Sequence, residues 1–159
     1  MSECCCPPKP VSSATAPLCA QCGTKGRSVD RCTVIHHVKS ELLSQVGEDE
    51  YRFCAAPACA VVYYNACGVV FTVKDVRDLV TAKASGDARP LCYCFGFTEG
   101  DIRREIAQTG ATTVPAQISA FIKAQLCACE VRNPSGACCL GEVNKAAQRL
   151  SEKGKPEYA

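Results

Sequence analysis

Six cysteines in the second half of the chain have the residue type and the spacing to bind iron. They are Cys92, Cys94, Cys127, Cys129, Cys138 and Cys139. A [2Fe-2S] core is held by four Cys thiolates, and the fold must bring these soft ligands together from separate segments. The pair Cys92-x-Cys94, followed by Cys129 and Cys139 around the loop Asn133-Pro134-Ser135-Gly136, predicts such a cradle.

A second set of four cysteines lies in the first half, as Cys19-x-x-Cys22 and Cys54-x4-Cys59. Two such pairs suit tetrahedral Zn²⁺, and four thiolates leave no open coordination position, so we expect a structural zinc. Iron in a rubredoxin-like site is the chemical alternative for the same ligands. A thioredoxin-like redox role is disfavoured, because Gly23 follows the first pair where a helix would be needed to lower a thiol pKa.

Three consecutive thiols, Cys4-Cys5-Cys6, lie in an N-terminal stretch rich in Pro, Ser, Ala and Thr. They cannot all face one ordered tetrahedral site, but soft ions such as Cu(I) accept two or three thiolates. We therefore predict a soft-metal site at Cys4, Cys5 and Cys6. The alternative is an unstructured, oxidisable tail.

The composition supports metal binding independently of these motifs. The chain has 15 Cys among 159 residues, a density that indicates either disulfides or metals. The N-terminus lacks the basic and apolar segments of a secretory signal, and no apolar run approaches the length of a membrane span. We therefore expect a cytoplasmic protein without membrane insertion, whose thiols stay reduced. The net charge of +2, without a dense basic stripe, argues against nucleic acid as a partner.

The sequence pattern predicts an α+β protein with two small metal-stapled subdomains between two tails. The predicted boundaries are 1–17 for a flexible Cys-rich tail, 18–86 for a zinc-binding subdomain, 87–152 for a [2Fe-2S]-binding subdomain and 153–159 for a C-terminal tail. Two metal-stapled units suit this chain because binding a metal supplies folding free energy that a small core lacks.

We expect the first half, residues 18–86, to be rich in β structure. Runs of β-branched and aromatic residues between turn residues predict a small antiparallel sheet. The predicted strands cover residues 27–34, 51–53, 61–64 and 69–73, and the predicted helices cover 36–46 and 74–84. The adjacent His36 and His37 are expected to be solvated at the start of the first helix.

We expect the second half, residues 87–152, to be all helical. Thr98 with Asp101 predicts a capping box for a helix that ends at Gly110, and Thr113 is the expected cap of the next helix. A third helix is predicted over residues 139–150. The cysteines then lie near helix ends, where backbone N–H groups and the helix dipole stabilise thiolates.

The cysteine segments of the second half resemble a known family. Cys92-Tyr93-Cys94, followed by the segment from Cys129 to Cys139 with its Asn-Pro-Ser-Gly loop, resembles the N-terminal domain of CopZ-type copper chaperones. More distantly it is similar to bacterioferritin-associated ferredoxin, whose second cysteine pair is a C-x-x-C that this sequence does not contain after Cys94. The resemblance covers roughly residues 18–150 and implies one zinc and one [2Fe-2S] cluster.

The resemblance also implies which thiols bind the cluster. It assigns Cys92 and Cys94 to one iron, assigns Cys129 and Cys139 to the other, and leaves Cys127 and Cys138 as non-ligands. CopZ-type chaperones continue into a ferredoxin-like copper-carrier domain with a Met-x-Cys-x-x-Cys loop, and this motif does not occur in the sequence. We therefore expect a chain that lacks the carrier domain.

Two functions of different class follow from these expectations. The resemblance favours handling of a soft metal, copper, in which the cluster supplies the electron that reduces Cu(II) to Cu(I) and nearby thiols capture the product. This one-electron metal-ion reductase activity implies Cu(I) as ligand, and a metal-exporting ATPase, a metal carrier or a reductase as partner. The alternative is a ferredoxin-like electron carrier that serves a partner reductase, and a third interpretation is a structural or sensing scaffold. The thiol tail should matter only for the first function.

Overall fold

The computed structural model describes residues 17–154 and has mixed α and β structure. The first half, residues 18–86, is built on a four-stranded antiparallel sheet in the order β1-β2-β3-β4. The strands are β1 (Arg27–Val29), β2 (Tyr51–Phe53), β3 (Val61–Asn65) and β4 (Val70–Thr72). The predicted small antiparallel sheet is therefore confirmed, with a shorter first strand.

The strand β3 lies at the centre of the first half. All of its residues are buried, as expected for β-branched and aromatic side chains on a pleated surface that is covered on both faces. Phe53 at the end of β2 pairs with Tyr63 of β3. Cys54, which follows β2, and Cys59, which precedes β3, therefore lie at the same end of the sheet.

The helices of the first half differ from the prediction. The helix α1 (Arg31–His37) begins soon after β1, where a longer strand is predicted, and a 3₁₀ helix follows at Ser40–Gln45. The two are separated because Val38 is extended and forms a β-bridge with Val76. The helix predicted over residues 74–84 is wrong, because this segment forms turns and a bridge.

The second half, residues 87–152, contains a two-stranded sheet as well as helices. The strands β5 (Pro90–Cys92) and β6 (Phe97–Thr98) are antiparallel, and Gly96 turns the chain between them with a φ of 74°. The helices are α2 (Glu99–Thr109), α3 (Val114–Lys123), α4 (Cys129–Arg132) and α5 (Leu140–Lys153). The predicted all-helical second half is not confirmed, since a short hairpin carries its first two cysteines.

Side-chain hydrogen bonds explain where α2 begins. The Thr98 hydroxyl accepts from the Asp101 N–H at 3.3 Å, and Asp101 Oδ2 accepts from the Thr98 N–H at 2.8 Å, which confirms the predicted capping box. The helix ends at Gly110, which has a φ of 82°. Thr113 precedes α3 as expected, but its hydroxyl donates to Glu105 at 2.6 Å instead of capping the helix.

A buried carboxylate links several elements of the second half. Glu99 is 3% exposed at the start of α2. It forms ion pairs with Arg149 at 2.9 Å, Arg103 at 3.2 Å and Arg89 at 3.3 Å. Burial alone would raise the pKa of Glu99, but the hydrogen bonds and charges of Arg149 and Arg89 hold it below its ordinary value. The carboxylate thereby connects α2 to α5 and to the residue before β5.

The two halves contact each other where α1 packs against α4. Each half also has its own cluster of buried apolar residues, one around β3 and one around α5. None of the helices between residues 17 and 154 is both long enough and apolar enough to cross a bilayer.

Candidate metal centres

Four thiols of the first half converge on one point. Cys19, Cys22, Cys54 and Cys59 have Sγ atoms that all lie within 4.8 Å of one another. The Sγ atoms of Cys19 and Cys59 are 3.8 Å apart, and those of Cys22 and Cys54 are 3.6 Å apart. Zn–S bonds of about 2.3 Å in a tetrahedron place neighbouring sulfur atoms about 3.8 Å apart. The donor atoms and their spacing therefore fit tetrahedral zinc.

Two tight turns position these thiols. In the first turn, the Gly23 N–H donates to the Cys19 carbonyl at 2.7 Å, and Gly23 has a φ of 71°, a conformation that favours glycine. In the second turn, residues 54–59 connect β2 to β3, and the Cys54 N–H donates to the Val62 carbonyl at 2.9 Å. The sheet therefore fixes the second pair of thiols, and the first turn brings the other pair to it.

Hydrogen bonding and burial give these thiols unequal pKa values. Cys22 is exposed, and hydrogen bonds from the side chain and backbone of Thr24 lower its pKa to about 6. Burial raises the pKa of Cys54 to about 12. The thiolate is the metal-binding form, so a divalent cation in this position would draw the buried thiols into the ionised state.

Lys83 supports this centre and was not identified from the sequence motifs. Its Nζ donates to the carbonyls of Ala56 and Cys59, each at 2.8 Å, so it holds the turn over residues 54–59. Its positive charge also favours the thiolate of Cys54. Only the three-dimensional structure reveals this role, because Lys83 lies far from both cysteine pairs along the chain.

The four cysteines predicted to bind a cluster come from different elements of the second half. Cys92 ends β5, Cys94 lies in the β5–β6 turn, Cys129 begins α4 and Cys139 precedes α5. Cys94 is half-buried, and the other three are buried. The Sγ atoms of Cys94 and Cys129 are 3.7 Å apart, and the Cys139 thiol interacts with those of both Cys92 and Cys129. The structure therefore brings the four predicted residues together from separate elements.

The local electrostatics lower the pKa of one of these thiols, Cys92, and raise the pKa values of Cys129 and Cys139. The hydrogen bond from Cys139 lowers the pKa of Cys92 to about 6, and the same contact, together with burial, raises the pKa of Cys139. At Cys94, which lies beside Cys129, the Ala128 N–H donates to Sγ at 3.2 Å. A backbone N–H directed at sulfur stabilises negative charge on that sulfur.

The remaining thiols of the second half are more accessible. Cys127 is half-buried and Cys138 is exposed, and each lies within two positions of a paired thiol. Burial is the main reason that the pKa of Cys127 is raised. The predicted soft-metal residues Cys4, Cys5 and Cys6 lie outside the described residues.

His37 is a buried residue, whereas a solvated position was predicted for it. It lies at the end of α1, is 1% exposed, and its Nε2 donates to the Val131 carbonyl at 3.0 Å. Burial lowers its pKa to about 4, so the ring is neutral near pH 7. His36 is exposed. The prediction fails for His37 because α1 starts earlier than expected and turns this ring toward the second half.

Comparisons with known proteins agree with this geometry. Residues 16–77, which include the four convergent thiols of the first half, match a CopZ-type family described as a zinc binding domain. The copper chaperone CopZ of Archaeoglobus fulgidus is 34% identical over 145 residues, which cover 85% of this chain and 69% of that protein. The X-ray structure of the Archaeoglobus fulgidus CopZ N-terminal domain matches with a TM-score of 0.67 and 29% identity, over 81% of this chain and 96% of that chain. The chain therefore belongs to the CopZ family, and its first half contains a zinc-binding domain.

Proposed function

We propose that this chain handles copper as Cu(I), with a [2Fe-2S] cluster that supplies the electron for reduction of Cu(II) and with a structural zinc. Cys92, Cys94, Cys129 and Cys139 would bind the cluster, and Cys19, Cys22, Cys54 and Cys59 would bind the zinc. The observation that carries the proposal is the convergence of these four thiols from separate elements, with Cys94 3.7 Å from Cys129 and with Cys139 interacting with both Cys92 and Cys129. The relative named copper chaperone supports copper as the metal.

The sulfur positions favour a particular distribution of ligands over the two irons. A separation of 3.7 Å between the Sγ atoms of Cys94 and Cys129 suits two thiolates on one tetrahedral metal, for which bonds of about 2.3 Å give about 3.8 Å. Cys139 interacts with both Cys92 and Cys129, and because Cys129 is already placed with Cys94, Cys92 is the remaining partner of Cys139. We therefore propose Cys94 with Cys129 and Cys92 with Cys139, in place of the pairing that the family resemblance implies.

The protein residues would exclude water and hold charge at this centre. A bound [2Fe-2S] cluster can accept and donate one electron. Cys92, Cys129 and Cys139 are buried, which limits solvent access, while the half-buried Cys94 leaves one edge near the surface for electron exchange. The Ala128 N–H at Cys94 Sγ helps to stabilise the negative charge of the thiolate-bound core.

Accessible thiols near this centre would capture the reduced metal. Cys127 and Cys138 are both accessible and adjacent to proposed cluster ligands, and Cys4, Cys5 and Cys6 supply further thiols. Each Cu(II) would take one electron to become Cu(I), and each thiol that binds Cu(I) would release its proton. Soft thiolates favour Cu(I) over Cu(II), which makes retention of the product favourable.

The proposed partners follow from this chemistry. A reductase would return an electron to the oxidised centre, and a metal carrier or a metal-exporting ATPase would receive Cu(I). We propose a cytoplasmic setting, where thiols stay reduced. The proposed subdomain boundaries remain 18–86 for the zinc-binding unit and 87–152 for the cluster-binding unit.

The first experiment measures metal content and spectrum. Anaerobically purified protein should contain two irons and one zinc per chain and give a rhombic electron paramagnetic resonance signal after reduction. Cys94→Ser should lose iron or shift the spectrum, whereas the matched Cys138→Ser and Cys127→Ser variants should keep two irons. Colourless protein that binds only zinc after cluster reconstitution would contradict the proposal.

The second experiment separates copper handling from electron carriage. Dithionite-reduced protein, freed of excess reductant, should convert Cu(II) to retained Cu(I) while the absorbance of the oxidised cluster returns in proportion. Deletion of residues 1–10 should leave iron and zinc unchanged and lower the number of Cu(I) ions held against a Cu(I) chelator. Equal copper binding by both proteins, with no reaction between the reduced protein and Cu(II), would favour the ferredoxin-like electron carrier.

A further inference from the structure

The helix α4 carries Cys129 but is too short to be stable by its own hydrogen bonds. It has four residues, Cys129–Arg132. The last four carbonyls of any helix lack partners within the helix, and a single turn is unstable because helix nucleation is unfavourable. The Cys129 carbonyl is satisfied by the Asn133 N–H at 3.0 Å. The carbonyls that follow need donors from elsewhere.

Those donors come from the first half of the chain. Thr33 Oγ1 donates to the Glu130 carbonyl at 2.5 Å, and His37 Nε2 donates to the Val131 carbonyl at 3.0 Å. Tyr63 OH donates to the Pro134 carbonyl at 2.6 Å. All three donor residues are at most 1% exposed. Three carbonyls of the ligand-bearing segment, two in α4 and one in the loop after it, are therefore anchored by side chains from another part of the fold.

The fold explains why these donors point to the same segment. Thr33 and His37 are four residues apart on α1, so they lie on one face of that helix. A carbonyl can only accept, so the His37 ring must carry its proton on Nε2. Tyr63 lies on the buried strand β3, and burial raises the pKa of its hydroxyl, which keeps it a donor.

The anchor at Pro134 extends to the second ligand of the segment. Asn133 Nδ2 donates to the Ala137 carbonyl at 2.9 Å, and the Ser135 N–H donates to Asn133 Oδ1 at 3.1 Å. Gly136 then turns the chain with a φ of 66°, and Cys139 follows at the start of α5. The loop between Cys129 and Cys139 is therefore internally tied and held at three carbonyls from outside.

We propose that Thr33, His37 and Tyr63 are positioning residues for Cys129 and Cys139, so that the folded first half holds half of the cluster ligands in binding geometry. The proposal rests on the proposed function only in taking Cys129 and Cys139 as cluster ligands. The first-half metal centre would contribute through β3, because Cys59 precedes the strand that carries Tyr63.

The test compares Tyr63→Phe with Tyr64→Phe, two neighbouring residues of β3. Tyr64 OH accepts from the Gly26 N–H and donates to the Pro17 carbonyl, each at 2.9 Å, so the control also loses buried hydrogen bonds but none to the ligand segment. In the zinc-loaded, iron-free protein, Tyr63→Phe should speed amide exchange over residues 129–139 about two- to tenfold, the effect of one lost hydrogen bond. Tyr64→Phe should leave exchange in that segment unchanged.

Iron release, reduction potential and spectrum of the cluster-loaded protein test the positioning role, because a purely structural role would not change them. Tyr63→Phe should release iron to a ferrous chelator about two- to tenfold faster, with a changed reduction potential and changed electron paramagnetic resonance line shape. His37→Gln, which keeps a donor, should lie closer to the parent protein than His37→Leu. Zinc content should be unchanged in all four variants.

The outcomes separate this inference from the proposed function. If the parent protein takes up no cluster, the proposed function fails, and the exchange measurement on the zinc-loaded protein still decides the positioning role. If the parent protein holds a cluster but Tyr63→Phe matches Tyr64→Phe in exchange, iron release and potential, the inference fails alone. Should Tyr63→Phe lose zinc, Thr33→Val against Thr33→Ser decides, since only the first removes the donor.

Discussion

The first and second halves of the molecule hold their cysteines by different means. In the first half, four thiols lie within 4.8 Å of one another because the turn at Cys19–Gly23 and the turn between β2 and β3 bring them to one end of a sheet. In the second half, the four thiols come from a hairpin, a one-turn helix and the residue before α5. A sheet with paired strands can fix a small site by itself, whereas the one-turn helix needs donors from outside.

This difference predicts that the second half needs the folded first half for its structure, whereas the first half does not need the second. The first half supplies the donors Thr33, His37 and Tyr63, and the second half supplies backbone carbonyls that receive them. If the second half unfolds, its carbonyls leave these three donors, but the backbone hydrogen bonds of the first-half sheet stay in place. Loss of the first-half fold, in contrast, leaves α4 without its anchors.

The largest effect is expected from the comparison of Cys54→Ser with Cys92→Ser. A structural zinc contributes roughly 10 kcal/mol or more to the folding of a small domain, so Cys54→Ser should release zinc and unfold the first half. It should also lower iron occupancy, because the α4 anchors are lost. Cys92→Ser should lower iron occupancy and leave zinc bound.

Metal analysis and amide exchange over β2 and β3 measure both results in the same samples. Cys67→Ser is the matched control, because Cys67 is an exposed thiol of the first half outside the convergent set. If Cys92→Ser also releases zinc, or Cys54→Ser keeps full iron, the one-way dependence is wrong.

A smaller effect is expected from removing the buried carboxylate that links the second half. Glu99→Gln would remove the carboxylate that Arg149, Arg103 and Arg89 share. The arginines that remain are partly exposed, so the cost should be that of lost hydrogen bonds to a charged group, about 1.5 to 3 kcal/mol. Denaturant unfolding of the zinc-loaded protein should show this loss in the second half. Glu142→Gln is the control, since this half-exposed carboxylate should contribute less than about 1 kcal/mol.

Glu99 also predicts a pH dependence of the second half. Its pKa is held below the ordinary value of 4.5, so its contribution is fully present above that pH and is lost as the pH falls through the lower folded value. Acid titration followed by amide exchange over α2 and α5 should show protection falling below about pH 4.5. Glu99→Gln should flatten this dependence, and an unchanged slope would mean that other groups control it.

The smallest effect is expected at two glycines that flank Cys139. Gly136 has a φ of 66°, so Gly136→Ala should destabilise the loop by about 1 kcal/mol through backbone strain, although its methyl group would meet Val29 only at 3.5 Å. Gly141 lies in α5 with open space around it, so Gly141→Ala should stabilise by up to about 1 kcal/mol. Thermal unfolding of both variants should give opposite signs, and equal signs would contradict the strain at Gly136.

The sequence predicted features that depend on local patterns and missed those that depend on distant contacts. The strands at 51–53 and 61–64 and the capping box of Thr98 were predictable because their residue types act within a few positions of one another. The convergence of the two first-half cysteine pairs was predictable because the ligands of one metal ion must lie close together.

Two of the failures have a common physical cause. The helix α4 could not be predicted from local helix propensity, because its carbonyls accept hydrogen bonds from α1 residues that lie far away in the sequence. His37 was misplaced for the same reason, since its neighbourhood is built from the second half. The hairpin of β5 and β6 was missed because its strands are too short to show an alternating pattern.

Cys22 gives the first-half centre an asymmetry with a kinetic consequence. It is exposed, whereas Cys19, Cys54 and Cys59 are buried. An incoming thiolate or chelator can approach a bound metal only where a ligand can be reached, and Cys22 is the exposed member of this set. Exchange of zinc with an outside ligand should therefore begin at Cys22, with the metal still held by the three buried thiolates. A centre that is fully loaded with zinc at equilibrium would then exchange its metal through one ligand position.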